Sequence, residues 1–170
     1  MSGRVNCRAA AYLNLAVMLS ADEQTKILER TVIERVQLRP QFCFLKTVPG
    51  IGKILSLTIM LETGDIRRFA SVGNYASYCR CVGSQKISNG KKKGKGNTKN
   101  GNKYLAWAFV EAANFAIRFN AKIKSFHQRK KAKTKGVVAI KAVAHKLCRA
   151  SYYIMRDRVP FNITKAFGQK

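Results

Sequence analysis

The chain has 170 residues, of which 33 are Lys or Arg and only 8 are Asp or Glu, for a net charge of +25. That length holds one domain with a real core plus an appended element, and an apolar fraction of 46% excludes a wholly disordered chain. The charge is uneven: residues 1–65 sum to +2 and residues 66–170 to +23, a field that calls for a polyanion, nucleic acid first. No apolar run reaches the ~18 residues of a membrane span, and the basic half lacks a long helix with a Trp/Phe face for an anionic membrane. The expected location is the cytoplasm, which the free cysteines also fit. Arg4 and Arg8 before "AAAYLNLAVML" imitate a secretory leader, but no A-x-A site follows and Asn14 interrupts the run. The five cysteines, Cys7, Cys43, Cys79, Cys81 and Cys148, show no disulfide-framework spacing and read as reduced, mostly buried thiols. Cys79 and Cys81 are spaced C-x-C rather than C-x-x-C, and with only His127 and His145 to add they make a poor zinc pattern.

Taken in chain order, residues 8–19 are apolar and helical in character. "SADE", residues 20–23, is a capping-box pattern, with Ser20 and Glu23 satisfying each other's backbone donors. After it Leu28, Val32 and Val36 recur at i, i+4, i+8, and Pro40 stops the run. Residues 1–40 thus read as a helix pair or a coiled-coil-like arm, or as ordinary packing helices. "PGIG", residues 49–52, lies between two apolar segments and suggests a helix-hairpin-helix. Gly50 and Gly52 would allow a tight turn, and Lys53 would add charge at the next helix's N-terminus, a phosphate-binding arrangement. The plain alternative is a helical turn. Gly64 is placed to end that helix and Asp65 to cap a short one.

Residues 71–83 read as a short helix and residues 84–103 as a loop. From Tyr104 one long helix is expected, with Leu105, Phe109, Ala112, Ala116 and Phe119 on its inner side, and with Trp107 and Phe115 as core rather than base-stacking residues. Gly136 breaks it, a second helix follows with Val137, Ile140, Ala144, Leu147, Ser151 and Ile154 on one face, and Pro160 ends that. The tail, residues 161–170, reads as frayed. No strand run and no internal repeat stands out. The fold class is mainly α: a helical arm (1–40), then a helical domain (41–160) containing the helix-hairpin-helix and a basic Gly/Lys loop.

That loop, "ISNGKKKGKGNTKNGNKYL", carries six lysines, four glycines, four asparagines and no acid. Lysines neutralise phosphates, and glycines let the backbone approach closely and use its own N–H groups. Lys91, Lys92, Lys93, Lys95 and Lys99 are the candidate backbone contacts, with Asn97 and Asn102 as polar helpers; Arg67, Arg68, Arg80, Lys130 and Lys131 would extend the surface. The alternative is a solvated charge run that binds nothing in particular. G-x-x-x-x-G-K-[ST] does not occur, so nucleotide hydrolysis is not expected. Ser88 beside the lysines would lie next to a phosphodiester, although a lone serine in such a loop is usually a turn residue.

Read together, Pro-Gly-Ile-Gly, Gly-Asp-Ile-Arg-Arg-Phe, Gly-Ser, Ser-x-Gly and a basic loop ending in Lys-x-Gly-Asn before an Ala-rich helix form an ordered series across residues 42–120. The series resembles the C-terminal domain of the bacterial insertion-sequence transposases that pair a RuvC-like DEDD domain with a serine domain and are guided by a bridge RNA. The resemblance implies a serine that attacks a DNA phosphodiester and stays covalently joined to it. By position that serine is Ser88, with Ser84 in "VGSQK" as the fallback. Family members often read Ser-Gly here, whereas this chain places Asn89 before Gly90. The implied partners are DNA, a guide RNA and further copies of the chain. No cofactor is implied for this chain; divalent metal belongs to the RuvC-like domain, whose four carboxylates find no match among eight acids. Residues 1–40 resemble the family's interdomain linker. The expectation is thus the C-terminal half of a transposase, from a truncated or split reading frame, that binds nucleic acid but does not recombine it alone. The rivals are a non-catalytic DNA- or RNA-binding protein and a degenerate remnant.

Overall fold

A computed structural model describes residues 2–36, 39–83, 85–95 and 100–168. The structure is mainly α-helical, and it divides into two compact units, Met1–Leu38 and Arg39–Lys170.

The first unit is one helix, α1 (Ser2–Val36). The capping-box reading at Ser20–Glu23 is corrected here: the helix runs through it without a break. The physical reason is the absence of a breaker. Between Gly3 and Pro40 there is no Gly or Pro, and propagation adds one hydrogen bond per residue once a helix is nucleated. An ion pair from Lys26 to Asp22, one turn apart, adds local support. Tyr12, Leu13, Val17, Met18, Leu19 and Leu28 on this helix are exposed.

The second unit opens with α2 (Pro40–Leu45), whose N-cap Arg39 is extended because the following proline ring disfavours the helical region. Pro40 itself opens this helix, where its missing N–H costs nothing. A turn then leads to α3 (Lys53–Thr63), which ends at Gly64 with φ +62°. Asp65 caps a 3-10 turn, Ile66–Arg68, accepting from the Arg67 N–H as its position in the sequence suggests. Ser71 caps α4 (Val72–Tyr78) in the same way through the Asn74 N–H.

After a two-stranded hairpin come α5 (Lys103–Phe119), α6 (Ala121–Lys131), α7 (Gly136–Asp157) and α8 (Ile163–Phe167). The single long helix expected from Tyr104 is two helices. Asn120 separates them: its backbone is extended at φ −124°, ψ 116°, and its side chain accepts from the Ile123 N–H. The tail is ordered through α8, where burial of a large side chain of about 1.5–3 kcal/mol offsets the ordering cost. Phe167 is buried edge-on to Phe126, and the Lys146 ammonium donates to the Ala166 carbonyl.

The core forms around α7, which packs against α2, α4, α5, α6 and α8. Its buried stripe, Ala139, Val143, Ala144, Leu147, Ser151 and Tyr152, follows the helical period. Val137, expected on that face, is exposed in the first turn. On α5, Leu105, Phe109, Ala112 and Ala116 are buried as expected, but Phe119 is exposed, as are Trp107 and Phe115. Of the cysteines, Cys79 and Cys148 are buried, whereas Cys7 and Cys43 are exposed.

Candidate nucleic-acid interface

The basic segment is built around a β-hairpin, which the lysine run conceals from a strand search. Strand β1 (Gln85–Ser88) pairs antiparallel with β2 (Lys91–Lys95), with Ser88 opposite Lys91 and Ile87 opposite Lys92. Asn89 and Gly90 form the two-residue connection, both with positive φ (+50° and +69°). That is the type I′ geometry that Asn-Gly prefers, and its twist matches the strands. The Asn89 that separates Ser88 from Gly90 is therefore a working turn residue. Ser88, Lys91 and Lys93 are exposed, and Ser88 and Lys91 flank the turn at the tip. Lys92 and Lys95 are placed in β2 by their backbone. Ser84, Asn97 and Lys99 lie outside the described residues.

The root of the hairpin is held tightly. Arg80 takes a left-handed conformation (φ +54°), and its guanidinium donates from Nε and Nη2 to the Gly101 carbonyl at 3.0 and 2.7 Å. The Asn102 N–H donates to the Tyr78 carbonyl at 2.7 Å. Gly101, at φ +93°, fits because a Cβ there would lie 2.4 Å from that carbonyl oxygen. These bonds join residues 78–80 to residues 101–102, on either side of the segment that holds the hairpin.

Asn102, expected as a nucleic-acid contact, is engaged within the fold. Its Oδ1 accepts from the Tyr104 and Leu105 N–H groups, capping α5, and its Nδ2 donates to the Glu62 carboxylate at 2.6 Å. The same amide lies 3.5 Å from the Tyr78 hydroxyl. Hydrogen bonding from Asn102, followed by that from Arg68, holds the Tyr78 phenol below its ordinary pKa. Arg68 also lies over the Phe69 and Tyr78 rings at 4.5 and 4.7 Å, and Arg67 pairs with Asp65. The arginines near the root thus combine charge with structural work, which their sequence positions do not reveal.

The Pro-Gly-Ile-Gly turn is placed less directly for a phosphate. Gly50 (φ +83°) sits against α5, where a Cβ would meet the Ala112 carbonyl oxygen at 2.2 Å and the Ala116 nitrogen at 2.7 Å. Its requirement for glycine is a packing requirement. Gly52 is the exposed N-cap of α3 with open space around it, and Lys53 is exposed beside it. No side chain caps this helix start.

Across residues 39–168 the described ion pairs of the acids are with near neighbours, Asp65 with Arg67 and Asp157 with Arg156. They leave most of the basic half uncompensated, and α6 ends in Arg129, Lys130 and Lys131. Among the described residues no group of three or more His, Cys, Asp or Glu is placed to hold a metal ion, and no helix is long and apolar enough to cross a membrane.

A basic hairpin beside an α-helical body, in a segment (residues 66–170) of net charge +23, is the electrostatic pattern of the nucleic-acid-directed class. The chain belongs to the transposase IS116/IS110/IS902 family, whose model matches residues 43–128, from α2 to α6. The match covers the turn, the hairpin and the Ala-rich helix. No curated protein matches the sequence.

Proposed function

We propose that this chain is the serine domain of a DNA transposase and that Ser88 is its nucleophile. The observation that supports this most is the position of Ser88: exposed at the tip of the hairpin, paired with Lys91, at the base of a type I′ turn. In the proposed step the Ser88 Oγ forms a bond to a DNA phosphorus while the bond from that phosphorus to the departing sugar oxygen breaks. The serine proton ends on that leaving hydroxyl. The phosphoester count is unchanged, so reversal onto a new DNA end reseals the strand without an external energy source. Lys91 and Lys93 would stabilise the added negative charge of the pentavalent transition state. Lys92, Lys95 and Lys99, with Asn97, would track the neighbouring backbone, and Lys53 at the uncapped start of α3 would make a separate phosphate contact.

The divalent metal that the sequence resemblance implies belongs to a RuvC-like domain. The described residues do not fit such a site, and no step here passes through one. We further propose that a guide RNA and several protomers complete the active assembly.

The test is a trapping assay. The chain is mixed with labelled, nicked element-end DNA, with and without a RuvC-like half and guide RNA, and run under denaturing conditions. A protein–DNA band that disappears in Ser88→Ala is the expected result. A band that persists in Ser88→Ala would move the nucleophile elsewhere. Salt-sensitive binding with no band in any mixture would leave the non-catalytic binding protein as the correct reading.

A further inference from the structure

Two phenylalanines on α5 are out of place for a protein core. Phe115 and Phe119 are 39% and 76% exposed, and their rings lie parallel, with 9° between planes and 6.5 Å between centroids. Exposed apolar rings need a reason when they are clustered. Two open grooves meet at Phe115. One, of about 750 Å³, runs between both rings and the 46–55 turn, with Lys46 and Lys53 on its rim. The other, of about 560 Å³, continues past Phe115 toward Arg118 and Lys124. A pair of parallel aromatic rings therefore has cations in the grooves on both sides.

The chemistry of that arrangement selects its occupant. A second copy seated here through its basic half (+23) would bring like charge to these cations and leave them without partners. An ordinary apolar protein surface leaves the flanking cations without partners. Duplex DNA supplies phosphates but hides its base faces in the stack. An unpaired strand supplies both, with a base face for the rings and a phosphate on either side for the cations. Glu111, in the second groove, can accept from an exocyclic amino group of such a base.

We propose that the Phe115–Phe119 face of α5 is a stacking site for unpaired nucleotides. It is separate from the Ser88 hairpin in sequence and chemistry, and it rests on the nucleic-acid reading of the basic half but not on Ser88. The shared ligand chemistry is a single strand, whether displaced DNA or guide RNA.

The experiment measures anisotropy of labelled oligothymidylate, oligouridylate and a hairpin duplex of equal length with the full chain. Replacing both rings (Phe115→Ala with Phe119→Ala) should weaken single-strand binding by roughly tenfold or more. Duplex binding, driven by phosphate contacts, should hold within about twofold. Phe119 is largely exposed but Phe115 is only 39% exposed, so the melting temperature should fall modestly, and intact duplex binding serves as the control for the fold. A Leu pair at the two positions should behave like the Ala pair, and a Tyr pair like the parent. Preference between the thymidylate and uridylate strands identifies the source. Equal losses on strand and duplex, or no loss on either, would overturn this site while leaving the Ser88 reading to its own assay. Failure of the parent to bind any of the three would overturn this site and the nucleic-acid reading together.

Discussion

Gly50 and Gly52 stand two residues apart and carry opposite constraints. Gly50 combines a positive φ with backbone atoms of α5 at 2.2 and 2.7 Å from where a Cβ would be. Neither atom can swing aside. Gly50→Ala should therefore cost about 2–4 kcal/mol, from overpacking plus the left-handed strain, and a urea melt would show it as a lower midpoint. Gly52 has φ −87° and open space, so Gly52→Ala should leave the midpoint in place. A result in the other order would mean that the turn does not dock on α5. The sequence spells a turn at both positions, but a glycine pattern says nothing of what lies across from it. The long-range partner, the alanines of α5, becomes visible only in the fold.

Two other buried groups set the behaviour in alkali. Burial raises the Cys148 thiol well above its ordinary 9.0, with Cys79 and Cys81 adding to it, and burial raises the Tyr75 phenol well above 10.0. In the unfolded chain both would ionise at their ordinary values, whereas in the fold both stay neutral. Their stabilising contribution is complete below the unfolded values and is lost as pH climbs from about 9 toward the raised folded values. The denaturant midpoint should begin to fall near pH 9, and Cys148→Ala should move the onset toward the tyrosine range near pH 10. Tyr78, held below its ordinary value, works in the opposite direction, so the check is made in Tyr78→Phe, where a midpoint flat to pH 11 would contradict the burial assigned to both groups. On the acid side Asp65 and Asp157 are held below their ordinary values by Arg67 and Arg156, yet both lie at the surface, so screening keeps their contribution small.

At the scale of elements, the hairpin is the least self-sufficient part of the second unit. Two paired strands are marginal alone, and what defines this pair is the I′ turn at one end and the Arg80–Gly101 clasp beyond the other. Gly90 at φ +69° has open space around it, so a side chain there strains only the turn. Gly90→Val should leave the thermal unfolding of the helical body unchanged. It should weaken DNA binding about five- to thirtyfold, the equivalent of roughly 1–2 kcal/mol of left-handed strain. Circular dichroism and anisotropy on the same sample would check both halves; a drop in the body's melting temperature with intact binding would refute it. The Asn-Gly step was readable as a hairpin turn in principle. It was masked because lysine repeats in place of the alternating apolar residues that usually announce strands. The Asn120 break was hidden for the opposite reason: apolar positions continue through it, and only the cap bond to Ile123 ends one helix and starts the next. The Ser20–Glu23 pattern erred the other way, because a capping box marks a helix start only where the preceding residues are not already helical. The mainly α class and the Gly64 and Asp65 boundaries were legible because each boundary rests on one residue's local preference, whereas the short helix read over 71–83 ends at Tyr78.

At the scale of the whole molecule, the division of charge is the property most fully written in the sequence, +2 in residues 1–65 against +23 beyond. It requires no fold to be read, but the fold decides how the charge is used. Arg67 and Arg156 are paired, Arg80 holds the hairpin root, and Lys146 is tied to α8. Lys91 and Lys93 remain exposed on β2. Salt dependence can separate these roles. Each phosphate neutralised on duplex DNA contributes a slope of about −0.9 to log K against log salt. If the hairpin lies along the backbone, Lys91→Ala with Lys93→Ala should reduce the magnitude of that slope by about 1.8. Ser88→Ala, which removes no charge, should leave it unchanged. A slope that survives the double substitution would take the DNA off the hairpin, with Arg129, Lys130 and Lys131 at the end of α6 as the next candidates, and would count against Ser88 as the nucleophile.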